Sequence, residues 1–215
     1  MADIFELSFE FKNKRYTDAQ AGLAAFAATL GHNVERAGPV LAKELRDWLD
    51  TVAEALAKRH GSPWPGGTTE KTLSKRSGAL VQSIKDSVEV TGTKLDDIQG
   101  RLGSALPYAK IHETGGTITA KKSKYLTIPL PAALGPNGVP KKKSAKEWDN
   151  TFIATSKKGN LIIFQKQGGR VVPLYLLRTS VKIPPRLGLR DTLEAGLPFF
   201  VDKALDAMLR EVRNG

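Results

Sequence analysis

The 215-residue chain contains no cysteine, which excludes disulfides and every form of thiolate chemistry. Histidine is scarce too. With only His32, His60 and His112, a zinc site would need carboxylates to complete its ligand set. No stretch approaches the roughly 18–20 consecutive apolar residues that span a bilayer. The N-terminus, Met1-Ala2-Asp3-Ile4-Phe5-Glu6, has neither the basic start nor the apolar run of a secretory leader. The expectation is a protein made and used in a cytoplasm, or in a particle assembled there, with no membrane partner. The Gly-x-x-x-x-Gly-Lys-Ser/Thr phosphate loop and the Gly-x-Ser-x-Gly nucleophile elbow are both missing, and no second histidine follows His112-Glu113 at zincin spacing. Asp96-Asp97 follows Lys94 in a predicted turn and reads as a solvated loop rather than a divalent-cation site. No catalytic residue, cofactor or metal is expected, and the chain does not read as an enzyme.

What the sequence does have is an ordinary globular composition, 40% hydrophobic and 26% charged, with its charge unevenly placed. Lysine and arginine number 33 against 22 acids, a net +11. Between Thr117 and Arg190 there are 15 basic residues and two acids, Glu147 and Asp149, whereas the rest of the chain holds 18 basic and 20 acidic residues. One segment therefore carries the entire excess. A block of one sign on an otherwise balanced chain suits a polyanion or an acidic protein surface, and the alternative is a set of solvated loops.

Apolar spacing organises the rest. Ile4–Phe11 alternates, with Phe5, Leu7, Phe9 and Phe11 on one face, as in a half-buried strand. After a Lys-Asn-Lys-Arg turn, Thr17 and Gln20 form a capping-box pair ahead of Leu23, Phe26, Ala27 and Leu30, which predicts a short helix ending at Gly31. Pro39 suits the first turn of a longer helix with the stripe Leu41, Leu45, Trp48, Leu49, Val52 and Leu56, ending at Gly61. Gly61–Gly67 is a Pro- and Gly-rich loop anchored by Trp64, which reads as a plug over the edge of a core. A short helix with Leu80 and Ile84 on one face follows, then strands over Ser87–Thr91 and Gly100–Leu106, and one helical turn in Pro107–Gly116 stopped by a glycine pair. In the basic segment, 125–128, 152–155 and 161–164 read as strands, with a hairpin at Lys158-Gly159-Asn160. The chain closes with an amphipathic helix over Leu189–Val212, in which Pro198 starts a new turn or a kink.

Four motifs in order carry a resemblance: Ser-Pro-Trp-Pro at 62–65, Arg-Ser-Gly-Ala-Leu-Val-Gln-Ser-Ile at 76–84, Tyr-Ala-Lys-Ile-His-Glu-Thr-Gly-Gly at 108–116, and Ile-Pro-Pro-Arg at 183–186 before a last helix. Together they resemble the tail-completion proteins of tailed bacteriophages, nearest the virion morphogenesis group of Mu-like phages and more distantly the neck and minor tail components of lambda-like siphophages. Leu187-Gly188 stands where that family usually has Pro-Phe.

The resemblance implies a structural virion protein that forms a homo-oligomeric ring at the head-proximal end of the tail. A hexamer is expected, or a dodecamer on the head side, with tail-tube and head-connector proteins as neighbours. It implies assembly in the host cytoplasm and residence in the virion neck. The subunit-interface candidates are then Tyr108, Ile111, His112, Glu113, Gly115, Gly116, Ile183, Pro184, Pro185 and Arg186. Tyr108 and Ile111 supply an apolar patch, and the glycines permit close backbone approach. His112-Glu113 is either an interface or capping pair or a locally bonded polar pair at a helix end. Arg186 either pairs with an acid or is solvated. Lys121, Lys122, Lys124, Lys141, Lys142 and Lys143 are the candidates for docking onto an acidic neighbour or for nonspecific contact with packaged DNA. A non-enzymatic DNA-binding protein acting through residues 117–190 is the alternative. The expected fold is α+β: a small, mainly antiparallel sheet flanked by N-terminal helices and a C-terminal helix, one domain over 1–215 with a basic β-rich insertion over 117–180.

Overall fold

The computed structural model describes residues 9–11, 14–16, 21, 24, 34–66 and 68–214. The fold is α+β, with helices toward both ends of the chain and an antiparallel sheet inserted between them. Two compact units share the chain. The first comprises residues 1–59, 79–113 and 187–215, the second 60–78 and 114–186.

In the first unit, strands β1 (Phe9–Phe11) and β2 (Lys14–Tyr16) form a hairpin with Phe9 opposite Tyr16, so Lys14 and Arg15 belong to a strand and not to the expected turn. The 4–8 part of the expected first strand and the stripe Leu23, Phe26, Ala27 and Leu30 lie outside the described residues. Helix α1 (Val34–Arg59) starts earlier than Pro39 predicts, because Ala37 is already buried in the core. Pro39 lies inside the helix, where it removes one hydrogen bond close to the N-terminus. The expected stripe is the core: Leu41, Leu45, Trp48, Leu49, Val52 and Leu56 are all buried. Burial of each such side chain contributes about 1.5–3 kcal/mol.

Helix α2 (Ala79–Lys85) adds Ile84 and Leu80 to that core and ties to α1 through Lys85–Glu54 at 2.5 Å. The β3 (Glu89–Thr91) and β4 (Gln99–Arg101) hairpin contributes Val88, Val90, Leu95 and Ile98. Its turn is closed by Asp97, whose Oδ1 accepts from Thr93 N and Lys94 N at 2.8 and 2.7 Å, so that carboxylate is a turn cap. Strand β4 stops at Arg101, short of the expected Leu106, because Ser87 Oγ takes over the pairing and accepts from Gly103 N at 2.8 Å. Helix α3 (Ala109–Thr114) matches the expected turn of helix.

The second unit opens with residues 60–78, in which Trp64 N donates to Lys75 O at 3.1 Å and Lys75 N to Ser62 O at 2.8 Å. Trp64, joined to Pro65 by a cis peptide bond, covers the backbone of Gly138 so closely that a Cβ there would lie 2.5 Å from the indole ring. Strands β5 (Gly116–Thr119) and β10 (Ser180–Ile183) form an antiparallel ribbon. The main sheet contains β6 (Leu126–Pro129), β7 (Thr151–Thr155), β8 (Leu161–Gln167) and β9 (Arg170–Arg178) in the order β6-β9-β8-β7.

Strand β9, the longest in this sheet, is not among the expected strand ranges. Pro173 interrupts its pattern, and the structure accommodates the proline at a bulge in β9, where Leu174 is the extra residue between Pro173 and Tyr175 opposite Phe164 and Ile163 and the ladder needs no donor from the proline. Gly168 and Gly169, both at positive φ, close the β8–β9 hairpin as a two-residue loop of the kind glycine pairs favour. The expected hairpin at Lys158-Gly159-Asn160 is present between β7 and β8.

From Arg186 the chain returns to the first unit and forms helix α4 (Leu189–Asn214), which continues through Pro198 and packs along α1. Trp48 and Phe200 stack at 4.8 Å between ring centroids, and Lys203 pairs with Glu44 at 2.8 Å.

Candidate functional site

The 108–116 and 183–186 motifs are held by neighbours within the chain: residues 108–113 belong to the first unit, and 114–116 with 183–186 to the second. In the first unit, the Glu113 carboxylate accepts from Leu189 N and Arg190 N, both at 2.9 Å. These are among the first backbone donors of α4, which have no partner inside the helix, and the negative charge sits at the positive end of the helix dipole. Glu113 is thus an N-terminal cap supplied from 76 residues away. His112 contributes its carbonyl to Leu187 N at 2.8 Å, and its ring meets Tyr108 edge-on at 6.1 Å. Tyr108 itself is 43% exposed, whereas Ile111 is half-buried.

In the second unit, Gly115 has φ +67, and a Cβ there would lie 2.8 Å from Pro185 Cδ and 3.1 Å from Ile183 O. Glycine is required on both counts: the left-handed conformation and the close approach of the Ile183–Pro185 backbone. Gly116 pairs with Ile183 at the start of the β5–β10 ribbon. Pro184 is half-buried and Pro185 exposed. Arg186 is half-buried, and its Nε has no hydrogen bond among the described residues.

Charge divides along the same boundary. The second unit holds 17 basic residues against three acids, the first 16 against 19. Lys121, Lys122, Lys124, Lys141, Lys142 and Lys143 are all exposed on the second unit. Two of them have local partners, which the expectation of six lysines free for docking did not include: Lys141 Nζ donates to Ala132 O at 3.0 Å, and Lys124 Nζ lies 5.5 Å from the Tyr125 ring centroid. Lys142 and Lys143 follow Lys141 in an irregular segment between β6 and β7, outside every strand and helix, so they belong to a connecting loop and not to the sheet itself.

The main sheet of this unit has two unlike faces. Residues 130–148 cover one, where Ala133, Leu174 and Tyr175 are buried together with Trp148 packed on them, its Nε1 donating to Tyr175 Oη at 3.0 Å. The register and alternation place Phe152, Ala154, Ile162, Phe164, Leu176 and Ile128 on the other face. Those residues are half-buried and belong to neither buried cluster. Phe152 and Phe164 stack at 5.7 Å there, with Lys166 Nζ 5.5 Å from the Phe152 centroid.

Two of these features escape the sequence reading. The Glu113 cap joins residues too far apart in the chain for any local pattern, and the edge position of β7 depends on strand order. A signal for the second existed in Gly168-Gly169, which closes the hairpin that makes β8 an interior strand and leaves β7 outermost.

Among the described residues no group of three or more His, Asp or Glu could hold a metal ion, and no helix is long and apolar enough to cross a membrane. No known family model, curated protein or solved structure matches the chain.

Proposed function

We propose that the chain is a non-enzymatic structural subunit of the neck of a tailed bacteriophage, assembling as a ring at the head-proximal end of the tail to complete it and join it to the head. One observation carries the reading: the four ordered motifs at 62–65, 76–84, 108–116 and 183–186 that resemble tail-completion proteins. Support comes from the use the fold makes of them. Trp64, Gly115 and the Ile183–Pro185 segment each form part of a tight intrachain joint, and Glu113 caps the last helix, so residues of three of the motifs have structural roles inside the chain.

Six copies are expected in the ring, or twelve if the protein belongs to the head side. The ring would contact tail-tube and head-connector proteins and reside in the virion. Disrupting the gene in the phage that encodes it should leave DNA-filled heads and tails that fail to unite. Normal infectious particles would overturn the proposal.

A second reading, DNA binding through the basic unit, is favoured by its 17 basic residues against three acids. It predicts that packaging or transcription fails first in the same disruption.

A further inference from the structure

Strand β7 is the outermost strand of the main sheet. Its sequence, Thr-Phe-Ile-Ala-Thr, has none of the devices by which edge strands avoid pairing: no charge, no proline, no bulge. The opposite edge, β6, is shorter and ends in Pro129. Strand β7 is also apolar on both faces, with Phe152 on one and Ile153, 59% exposed, on the other.

The backbone parity of β7 follows from its ends. Lys166 N donates to Asn150 O at 3.0 Å, and Ser156 N to Asn160 O at 2.8 Å, so the even-numbered residues bond toward β8. The N–H and C=O groups of Thr151, Ile153 and Thr155 therefore point away from the sheet. No described residue pairs with them.

We infer that β7 is a docking edge for β7 of a second copy of this chain, paired antiparallel about a two-fold axis at Ile153. That register uses every outward group: Ile153 pairs with its own counterpart, and Thr151 with Thr155 of the second copy. On one face Ile153 covers Ile153. On the other, Phe152 lies opposite Ala154, large against small.

Charge selects the same partner and direction. The only acids between residues 114 and 186, Glu147 and Asp149, stand just before β7, and Lys157 and Lys158 stand just after it. All four are exposed, without an ion pair among the described residues. Antiparallel self-pairing brings the acidic end of one strand beside the basic end of the other, twice. The net positive charge of the unit opposes approach from a distance, but it is screened beyond about 10 Å at 0.1 M salt, whereas the strand ends meet at contact.

This contact is isologous and cannot close a ring by itself. It uses a surface distinct from the 108–116 and 183–186 candidates and holds whether or not the phage reading does.

The full chain can be tested by sedimentation equilibrium and by single-cysteine cross-linking, since the native sequence has no thiol to interfere. At about 100 μM chain in 0.15 M salt a dimer or an even-numbered assembly is expected, and Ile153→Lys should weaken the two-fold contact at least about tenfold by opposing two like charges. At chain concentrations low enough for the parent to be monomeric its thermal melt should be unchanged, because the residue is exposed. Ile153→Cys should form a disulfide-linked dimer on mild oxidation, since directly opposed residues in such a pair are about 5.5 Å apart between Cα atoms. Val171→Cys, similarly exposed at 55% but on another strand, should not.

The double reversal Glu147→Lys/Asp149→Lys should weaken pairing, and adding Lys157→Glu/Lys158→Glu should restore it. A chain that stays monomeric, an Ile153→Lys variant that associates as tightly as the parent, or equal cross-linking at positions 153 and 171 would overturn the inference. Failure of head–tail joining in the disrupted phage, with β7 pairing absent, would refute this contact and leave the proposed function standing. A β7 dimer from a phage that joins normally without the protein would do the reverse.

Discussion

Removing the Glu113 carboxylate tests how the last helix is anchored. Glu113→Ala deletes both acceptors of the N-terminal cap. The two donors differ in what replaces the lost bond. Leu189 is 3% exposed, so its N–H is left largely without water and the loss approaches the roughly 1–3 kcal/mol of an unsatisfied buried donor. Arg190 is exposed, and water takes over most of its bond. The loss of a negative charge at the helix N-terminus adds about 0.3–1 kcal/mol. The sum is about 2–3 kcal/mol, at or somewhat above the upper end of ordinary N-cap deletions.

For a chain of this length that corresponds to a melting temperature lower by about 5–10 °C. Glu113→Gln keeps one acceptor oxygen and should cost about 1 kcal/mol. Urea denaturation followed by far-ultraviolet circular dichroism measures both variants, and sedimentation measures their assembly. If Glu113 acts instead at a subunit contact, assembly would fall while the denaturation midpoint stayed put. A Glu113→Ala midpoint within about 0.5 kcal/mol of the parent refutes the capping account.

Two further outcomes follow from the packing and the charge. Gly38→Ala should destabilise by more than about 3 kcal/mol, because its Cβ would lie 2.0 Å from the Thr93 carbonyl oxygen, a backbone atom in a capped turn; Gly196→Ala, whose Cβ would meet only the Trp48 side chain at 2.9 Å, should cost less in the same denaturation assay. If the proposed neck ring docks onto an acidic neighbour, replacing Lys121, Lys122, Lys124, Lys141, Lys142 and Lys143 by Gln should abolish that salt-sensitive binding, read with purified tails. Tail binding that survives while DNA binding is lost, with a log–log salt slope smaller by roughly one per phosphate contact removed, would move the lysines to the DNA reading.

Helix periodicity is the most legible signal in the chain. The stripe of α1 is buried residue for residue, and Leu80 and Ile84 pack as their spacing predicts. A helix buries one face whatever its partner, so the pattern survives ignorance of the fold. Strands are legible in part. Those at 126–129, 151–155 and 161–167 show in short apolar runs, but β9 contains Pro173 and β5 is a four-residue strand exposed throughout. In β9 the bulge, a tertiary device, overrides the local prohibition on proline. The start of α1 escapes local rules for a similar reason: Pro39 is tolerated because burial of Ala37 extends the helix beyond it. The motifs at 108–116 and 183–186 are legible as motifs. Their occupation is not, since Glu113 meets Leu189, and Gly115 meets Pro185, only after the chain between them has folded.

That occupation narrows what the motifs can offer a neighbouring subunit. The Glu113 oxygens are engaged by α4, Gly115 is filled by Pro185, and Ile183 is paired with Gly116 through the ribbon. A residue already saturated inside the chain contributes little further energy to an interface, because forming the new contact means breaking the old one. Tyr108 and Pro185 remain with exposed surface, Tyr108 as a large aromatic with a polar tip of the kind that anchors interfaces. Any ring contact made through these motifs therefore rests on Tyr108 first, while Glu113 and Gly115 act upstream of it by holding the monomer in shape.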